Sequence, residues 1–130
     1  MSVGVLIITH GDIGDQLVKT AASTLGGSLP LPCHALSVSQ ACDPDQLVEQ
    51  ARDILSSLSN GDGALILTDM YGSTPSNIAN RLRKSHQIKV IAGVNLPMLI
   101  RILNYPTLAL DDLIEKAISG GHDGIILCGE

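Results

Sequence analysis

Four short apolar runs, each followed by an amphipathic segment, constrain the fold of this chain most strongly. The runs are rich in Val, Ile, Leu and Ala and lie at residues 3–9, 33–38, 63–69 and 88–94. Apolar runs of this length are typical of strands buried on both faces, and strands that alternate with helices form a mainly parallel sheet. The pattern therefore predicts a flavodoxin-like, doubly wound α/β fold with strand order 2-1-3-4 and helices on both faces. A last apolar run at residues 124–128 predicts a short C-terminal strand at the sheet edge.

Helix starts and ends are marked by residues with well-known positional preferences. Asp43 followed by Pro44 predicts a helix start, and Asn60 followed by Gly61 predicts the end of that helix. Thr74 followed by Pro75 predicts a third helix with Thr74 as its N-cap. Asn95 predicts the cap of a short helix, and the Gly120 and Gly121 pair predicts the end of the last one.

Composition and charge exclude several classes of protein. The net charge is −5, there is no basic run, and the chain has two Tyr but no Phe or Trp, so we expect no nucleic-acid partner. No apolar stretch reaches the ~18–20 residues of a membrane span, and the first residues show no signal peptide. The three cysteines form no C-x-x-C pair, so we expect no disulfide framework, no metal site and a reducing cytoplasmic location.

The predicted topology brings the ends of strands 1 and 3 together. His10 ends the first strand and Asp69 ends the third, and neighbouring strands lie ~4.8 Å apart, so the two side chains would meet in one crevice. The third helix begins there at Thr74, and its N-terminus favours an anion. Gly72 and Ser73 let the backbone approach closely, and the hydroxyls of Ser73 and Thr74 add donors. A histidine, an orienting carboxylate and an anion cradle are the parts that phosphoryl transfer needs.

Three alternatives concern a bound nucleotide, a bound flavin and an acid catalyst. The chain contains no nucleotide-binding glycine motif, so a phosphoprotein donor fits the small site better than a bound nucleotide. A flavin-binding protein of similar fold is disfavoured, because only Tyr71 offers a ring to stack on the flavin; a colourless protein would exclude it. Asp12 is interpreted as the N-cap of the first helix rather than as an acid catalyst.

Three segments resemble the mannose-type enzyme IIA domain of the bacterial phosphoenolpyruvate-dependent sugar phosphotransferase system (PTS). They read VLIITHG at residues 5–11, LTDMYGSTPSN at 67–77 and VIAGVNLPML at 90–99, in the family's order and spacing. The resemblance implies one IIA domain over residues 1–130, without a fused IIB domain, a cofactor or a metal. The family loop often reads aromatic-Gly-Gly where this chain has Tyr71, Gly72 and Ser73. The phosphotransferase subunit of dihydroxyacetone kinase is a weaker match, since its second motif lacks this run.

The resemblance also implies a role for each site residue. His10 becomes a phosphohistidine, Asp69 orients it, and Asn77 matches the Asn near the helix start. The expected phosphoryl-binding residues are Thr9, Gly72, Ser73 and Thr74.

The partners implied by the resemblance are all proteins. The histidine phosphocarrier HPr would donate the phosphoryl group, and a IIB domain or subunit would receive it for sugar uptake and phosphorylation. A homodimer is implied, with peripheral association at the inner membrane through the permease. The alternative is a stand-alone regulatory IIA protein whose phosphorylation state signals to a partner. Neighbouring IIB, IIC and IID genes would favour transport, and the sugar is selected by the membrane subunits.

Overall fold

A computed structural model of the chain describes residues 3–58, 61–83 and 87–129. The sheet has four parallel strands in the order β2-β1-β3-β4, as predicted. The strands are β1 (Gly4–His10), β2 (Cys33–Val38), β3 (Ala64–Thr68) and β4 (Ile88–Ala92). Asn60, expected near the end of the second helix, lies outside the described residues.

Helices cover both faces of this sheet. They are α1 (Ile13–Thr24), α2 (Pro44–Leu58), α3 (Thr74–Arg81), α4 (Leu96–Leu103) and α5 (Leu110–Asp123). Side chains of α1, α4 and α5 share one apolar cluster with the sheet, and those of α2 and α3 share the other. The predicted doubly wound α/β architecture is therefore confirmed. Among the described residues, no helix combines the length and apolar character needed to cross a lipid bilayer.

The two central strands form the most buried part of the molecule. Residues 5–8 of β1 and 65–67 of β3 have no accessible surface. Burying a Leu or Ile side chain completely stabilises a fold by about 1.5–3 kcal/mol. These strands therefore hold their carboxyl ends, where the predicted site lies, in fixed positions.

Two predicted helix caps are present, and a third is displaced by one residue. Asp43 Oδ1 accepts the N–H of Asp45 at 3.0 Å, and the Asn95 side chain caps α4. The prediction of Thr74 as the cap of α3 was wrong: Ser73 is the N-cap and Thr74 is the first helical residue. The reason is that Ser73 has extended backbone while its carbonyl already accepts the N–H of Asn77 at 2.9 Å.

Gly120 and Gly121 do not end α5, contrary to the prediction, because the helix continues to Asp123. Both glycines are buried where α5 packs against α4. A Cβ on Gly120 would lie 2.5 Å from Arg101 Cβ. These glycines allow close packing of two helices, and a helix interior tolerates Gly when packing requires it.

The predicted C-terminal strand is the one part of the sheet that the structure does not contain. Residues 124–129 leave α5 without pairing to β4, within the part of the chain that is described. Ile125, Ile126 and Leu127 are 76%, 71% and 88% exposed. A strand needs the backbone of a neighbour for its hydrogen bonds, and this apolar segment has no such neighbour among the described residues.

Candidate active site

His10 and Asp69 meet at the carboxyl ends of β1 and β3, as the topology predicts. His10 Nδ1 lies 2.8 Å from Asp69 Oδ2, and the backbone N–H of His10 donates to the same oxygen at 3.1 Å. The His10 side chain is 46% exposed and the Asp69 side chain only 14%. His10 Nε2 has no protein partner among the described residues, so it is the nitrogen available to a reactant.

Two opposing influences act on the pKa of Asp69. Partial burial raises the pKa of the carboxyl, but hydrogen bonds from the His10 ring and from the His10 N–H lower it, as does the positive charge that the His10 ring carries when it is protonated. The net result is a pKa below the ordinary value of 3.8. An ionised carboxylate only accepts hydrogen bonds. The Nδ1 of His10 must then carry the proton, and Nε2 carries the lone pair.

The loop from β3 to α3 places a helix N-terminus beside His10. The Ser73 hydroxyl donates to the carbonyl of Met70, and Gly72 at φ +81° adopts the left-handed backbone that this tight turn requires. Thr74 follows, and neither its hydroxyl nor its N–H has a partner in the described part of the chain. Since the Ser73 hydroxyl is already engaged, Thr74 is the better placed donor for an anion.

An open cleft of ≈ 570 Å³ leads to the ring of His10. His10 and Thr74 line one part of it, and Ser39, Gln40 and Cys42 of the loop after β2 line another. Because the His10 side chain is 46% exposed, its ring is open to a group that approaches through this cleft. Within the described ranges, no three His, Cys, Asp or Glu side chains lie close enough together to hold a metal ion.

Thr9 does not lie where the predicted phosphoryl-binding role requires. Its side chain is fully buried, and its hydroxyl accepts the N–H of Gly14 at 2.8 Å and donates to the His10 carbonyl at 3.2 Å. Side chains alternate between the two faces of a strand, so Thr9 faces the α1 side of the sheet. Asp12 occupies the N-cap position of α1, as expected, but makes no side-chain cap bond.

Three exposed apolar side chains belong to the segments that carry the site. Ile13 begins α1 and is 47% exposed, while Met70 and Tyr71 follow Asp69 and are 58% and 83% exposed. Ile13 and Met70 were not among the site residues predicted from the sequence. A signal was available, since both stand close in sequence to a predicted site residue and outside the apolar runs.

The family model EIIA-man, described as the PTS system fructose IIA component, matches residues 4–118. The chain belongs to this family. The predicted resemblance to the mannose-type PTS IIA domain is thereby confirmed.

Two curated relatives place this IIA component more closely. It is 33% identical over 129 residues to the PTS system mannose-specific EIIAB component of Escherichia coli K12. The aligned region covers 96% of this chain and 39% of that protein. The chain thus spans about two fifths of that relative's length. It is 27% identical over 130 residues to the PTS system fructose-specific EIIA component of Bacillus subtilis 168, covering 98% of this chain and 88% of that one.

Solved structures show the same fold. The mannose/sorbose-specific IIA subunit from Enterococcus faecalis superposes with a TM-score of 0.87 at 22% identity, covering 100% of this chain and 97% of that one. The phosphotransferase component EIIA from Streptococcus agalactiae gives 0.82 at 23% identity, with 96% of both chains covered.

Proposed function

We propose that the chain acts as one enzyme IIA domain over residues 1–130 and carries a phosphoryl group on Nε2 of His10. HPr donates the group and a IIB domain or subunit receives it, for sugar uptake and phosphorylation. The observation that carries this proposal is the 2.8 Å contact between His10 Nδ1 and Asp69 Oδ2, which leaves Nε2 as the free nitrogen of a half-exposed ring.

The transfer step exchanges one nitrogen–phosphorus bond for another. The Nε2 lone pair of His10 attacks the phosphorus of the phosphohistidine on HPr, and the bond to the donor imidazole breaks as the new bond forms. The electron pair of the broken bond returns to the donor ring. The proton on His10 Nδ1 stays in place, so the phosphorylated ring gains positive charge that Asp69 stabilises. Onward transfer to a nucleophilic side chain of IIB is the reverse of this step.

The start of α3 supports binding of the phosphoryl oxygens. Thr74 lines the cleft with His10 and offers an N–H and a hydroxyl without partners among the described residues. Gly72 and Ser73 complete the turn before it and contribute backbone. Helix N-termini bind phosphate through free N–H groups and the helix dipole. We therefore retain Gly72, Ser73 and Thr74 as phosphoryl-binding residues and exclude Thr9.

Docking of carrier proteins is supported by the surface around the site. Ile13, Met70 and Tyr71 are exposed apolar side chains on the segments next to His10 and Asp69. Aromatic residues and Met are enriched at protein interfaces. A protein donor and a protein acceptor, used in turn, fit this surface and the open cleft. The mannose- and fructose-specific relatives favour transport over a signalling role. We place the chain in the cytoplasm, where it would reach the inner membrane only through its permease.

A homodimer is supported by residues 124–129. This exposed apolar segment and the edge of β4 both lack a strand partner in the described single chain. A second copy would cover both, and exposed apolar strands are otherwise prone to aggregation. Light scattering at micromolar concentration should give twice the 13.6 kDa chain mass, and Leu127→Asp should shift it toward monomer. A wild-type chain that is only monomeric contradicts the homodimer.

Labelling with phosphoenolpyruvate in the presence of enzyme I and HPr tests the phosphohistidine. The wild-type chain should take up label that is lost in acid and stable in base, and His10→Ala should take up none. His34→Ala is the matched control, since it removes an exposed histidine of β2 and should label normally. Label on His10→Ala, or label that survives acid as it would on Ser73 or Thr74, would refute the assignment.

A further inference from the structure

We propose that Thr9 is a positioning residue for His10, an inference that rests on the proposed role of His10 as phosphoryl acceptor. Thr9 precedes His10 in β1 and is fully buried. Its hydroxyl accepts the N–H of Gly14 at 2.8 Å and donates to the carbonyl of His10 at 3.2 Å. One side chain thus ties the first turn of α1 to the peptide group that follows His10.

The first turn of α1 needs this hydroxyl because its own cap residue does not serve it. The first N–H groups of a helix lack intrahelical acceptors, and an N-cap side chain normally accepts one of them from extended backbone. Asp12 has φ −97° and ψ 16°, which is not extended, and makes no side-chain cap bond. Thr9 supplies the missing acceptor from the preceding strand, inside the fold.

The peptide groups on both sides of His10 are held by hydrogen bonds. The His10 N–H donates to Asp69 Oδ2 at 3.1 Å, and the N–H of Gly11 donates to the Val38 carbonyl at 3.0 Å. The Thr9 hydroxyl holds a third polar group of these peptides, the His10 carbonyl. With the backbone held, the ring is oriented by its Nδ1 contact with Asp69. Release of the carbonyl would let the ring move, and a displacement of about 1 Å can slow a reaction about 10²-fold.

Gly14 brings α1 close enough for this contact. A Cβ on Gly14 would lie 3.2 Å from Thr9 Oγ1 and 3.3 Å from Ile7 Cγ2. Both distances are tighter than ordinary van der Waals contact. A methyl group at this position would crowd the Thr9 hydroxyl, and this contact would have to give by a few tenths of an ångström.

Thr9→Val and Thr9→Ser separate the hydroxyl from the shape of the side chain. Val keeps the shape and removes both hydrogen bonds, while Ser restores them. Thr68→Val is the matched control: Thr68 is equally buried, in the neighbouring strand β3, but its hydroxyl has no partner among the described residues. Two quantities are measured for each variant: single-turnover transfer from phosphorylated HPr, and the His10 ring tautomer from long-range ¹H–¹⁵N spectra of the unphosphorylated protein.

We expect Thr9→Val to slow transfer about 10- to 100-fold and to shift the His10 ring signals away from the Nδ1–H form. Thr9→Ser should recover most of the rate and the ring signals, and Thr68→Val should match the wild type in both. Gly14→Ala gives a second perturbation if Thr9→Val does not fold. The alanine favours helix α1 while crowding the Thr9 hydroxyl. It should move the His10 ring signals in the same direction as Thr9→Val does, with a smaller loss of transfer rate.

The inference would be overturned if the folded Thr9→Val and Gly14→Ala proteins kept the wild-type His10 ring signals and transfer rates. It would also be overturned if Thr9→Ser transferred slowly while keeping the wild-type ring signals. A wild-type chain that accepts no phosphoryl group on His10 would instead refute the proposed function. The ring signals would still test the role of Thr9 in that case, so the two failures are distinguishable.

Discussion

Asp69→Asn removes the charge of the carboxylate while keeping its hydrogen bonds. Both bonds from His10 end on a single oxygen, Oδ2, so an amide oxygen in that place accepts both of them. The amide nitrogen then takes the place of Oδ1, which is buried and has no partner in the described part of the chain. The exchange leaves one unpaired polar atom where there was one before, so the fold should survive.

The expected loss of rate follows from the geometry. Two unit charges about 4 Å apart interact by ~4 kcal/mol at an effective dielectric constant of about 20. The His10 side chain is 46% exposed, so solvent screens part of this interaction. A loss of about 2–3 kcal/mol in the stabilisation of the developing imidazolium corresponds to a rate lower by about 30- to 150-fold.

Single-turnover transfer from phosphorylated HPr, with a thermal melt of each protein, measures this effect. Asp69→Ala should be slower still, because it also removes both hydrogen bonds. Asp53→Asn on the exposed face of α2 is the matched control and should transfer at the wild-type rate. A folded Asp69→Asn protein with wild-type transfer would remove Asp69 from the mechanism, and one that fails only because it unfolds would make Asp69 a structural residue.

Three further predictions concern stability and reactivity. Because the pKa of Asp69 is lowered, its ionised form stabilises the fold above the ordinary value of 3.8 and the contribution is lost as pH falls through the lower folded value. The melting-temperature advantage of the wild type over Asp69→Asn should therefore shrink below about pH 4; an advantage independent of pH contradicts this. Gly120→Ala should lower the free energy of unfolding by about 1–3 kcal/mol in urea titrations, because its Cβ would meet Arg101 Cβ at 2.5 Å. An unchanged urea midpoint would contradict this prediction and show that α4 and α5 can move apart at little cost. Desolvation of the half-buried Cys33 thiol raises its pKa to about 12, so a thiol reagent at pH 8 should label Cys42, in the open cleft, well before Cys33; equal rates would contradict the raised pKa of Cys33.

The sheet and the central pair of the site could be predicted because they depend on local patterns. The apolar runs mark strands that are buried on both faces, and the doubly wound topology then fixes which strand ends are neighbours. That topology is enough to bring His10 to Asp69, although 59 positions separate them in the sequence. The charge and hydrogen-bonding capacity of the two residues indicated their chemistry.

Other features depend on contacts between segments that no local pattern reveals. The hydroxyl of Thr9 accepts the N–H of Gly14 in the first turn of α1, where Asp12 makes no side-chain cap bond, and the backbone conformation of Asp12 is not visible in the sequence. Gly120 looks like a helix end, but the approach of α4 decides its role. Residues 124–128 have the composition of a strand, yet a strand forms only where a neighbouring backbone is available.

The nitrogen that carries the phosphoryl group tests the central claim most directly. Long-range ¹H–¹⁵N and ³¹P spectra of the phosphorylated chain distinguish the two nitrogens of the His10 ring. The contact between Nδ1 and Asp69 predicts phosphorylation at Nε2 only, with the proton retained on Nδ1. Phosphorus on Nδ1 of His10, or on the hydroxyl of Ser73 or Thr74, would contradict this account.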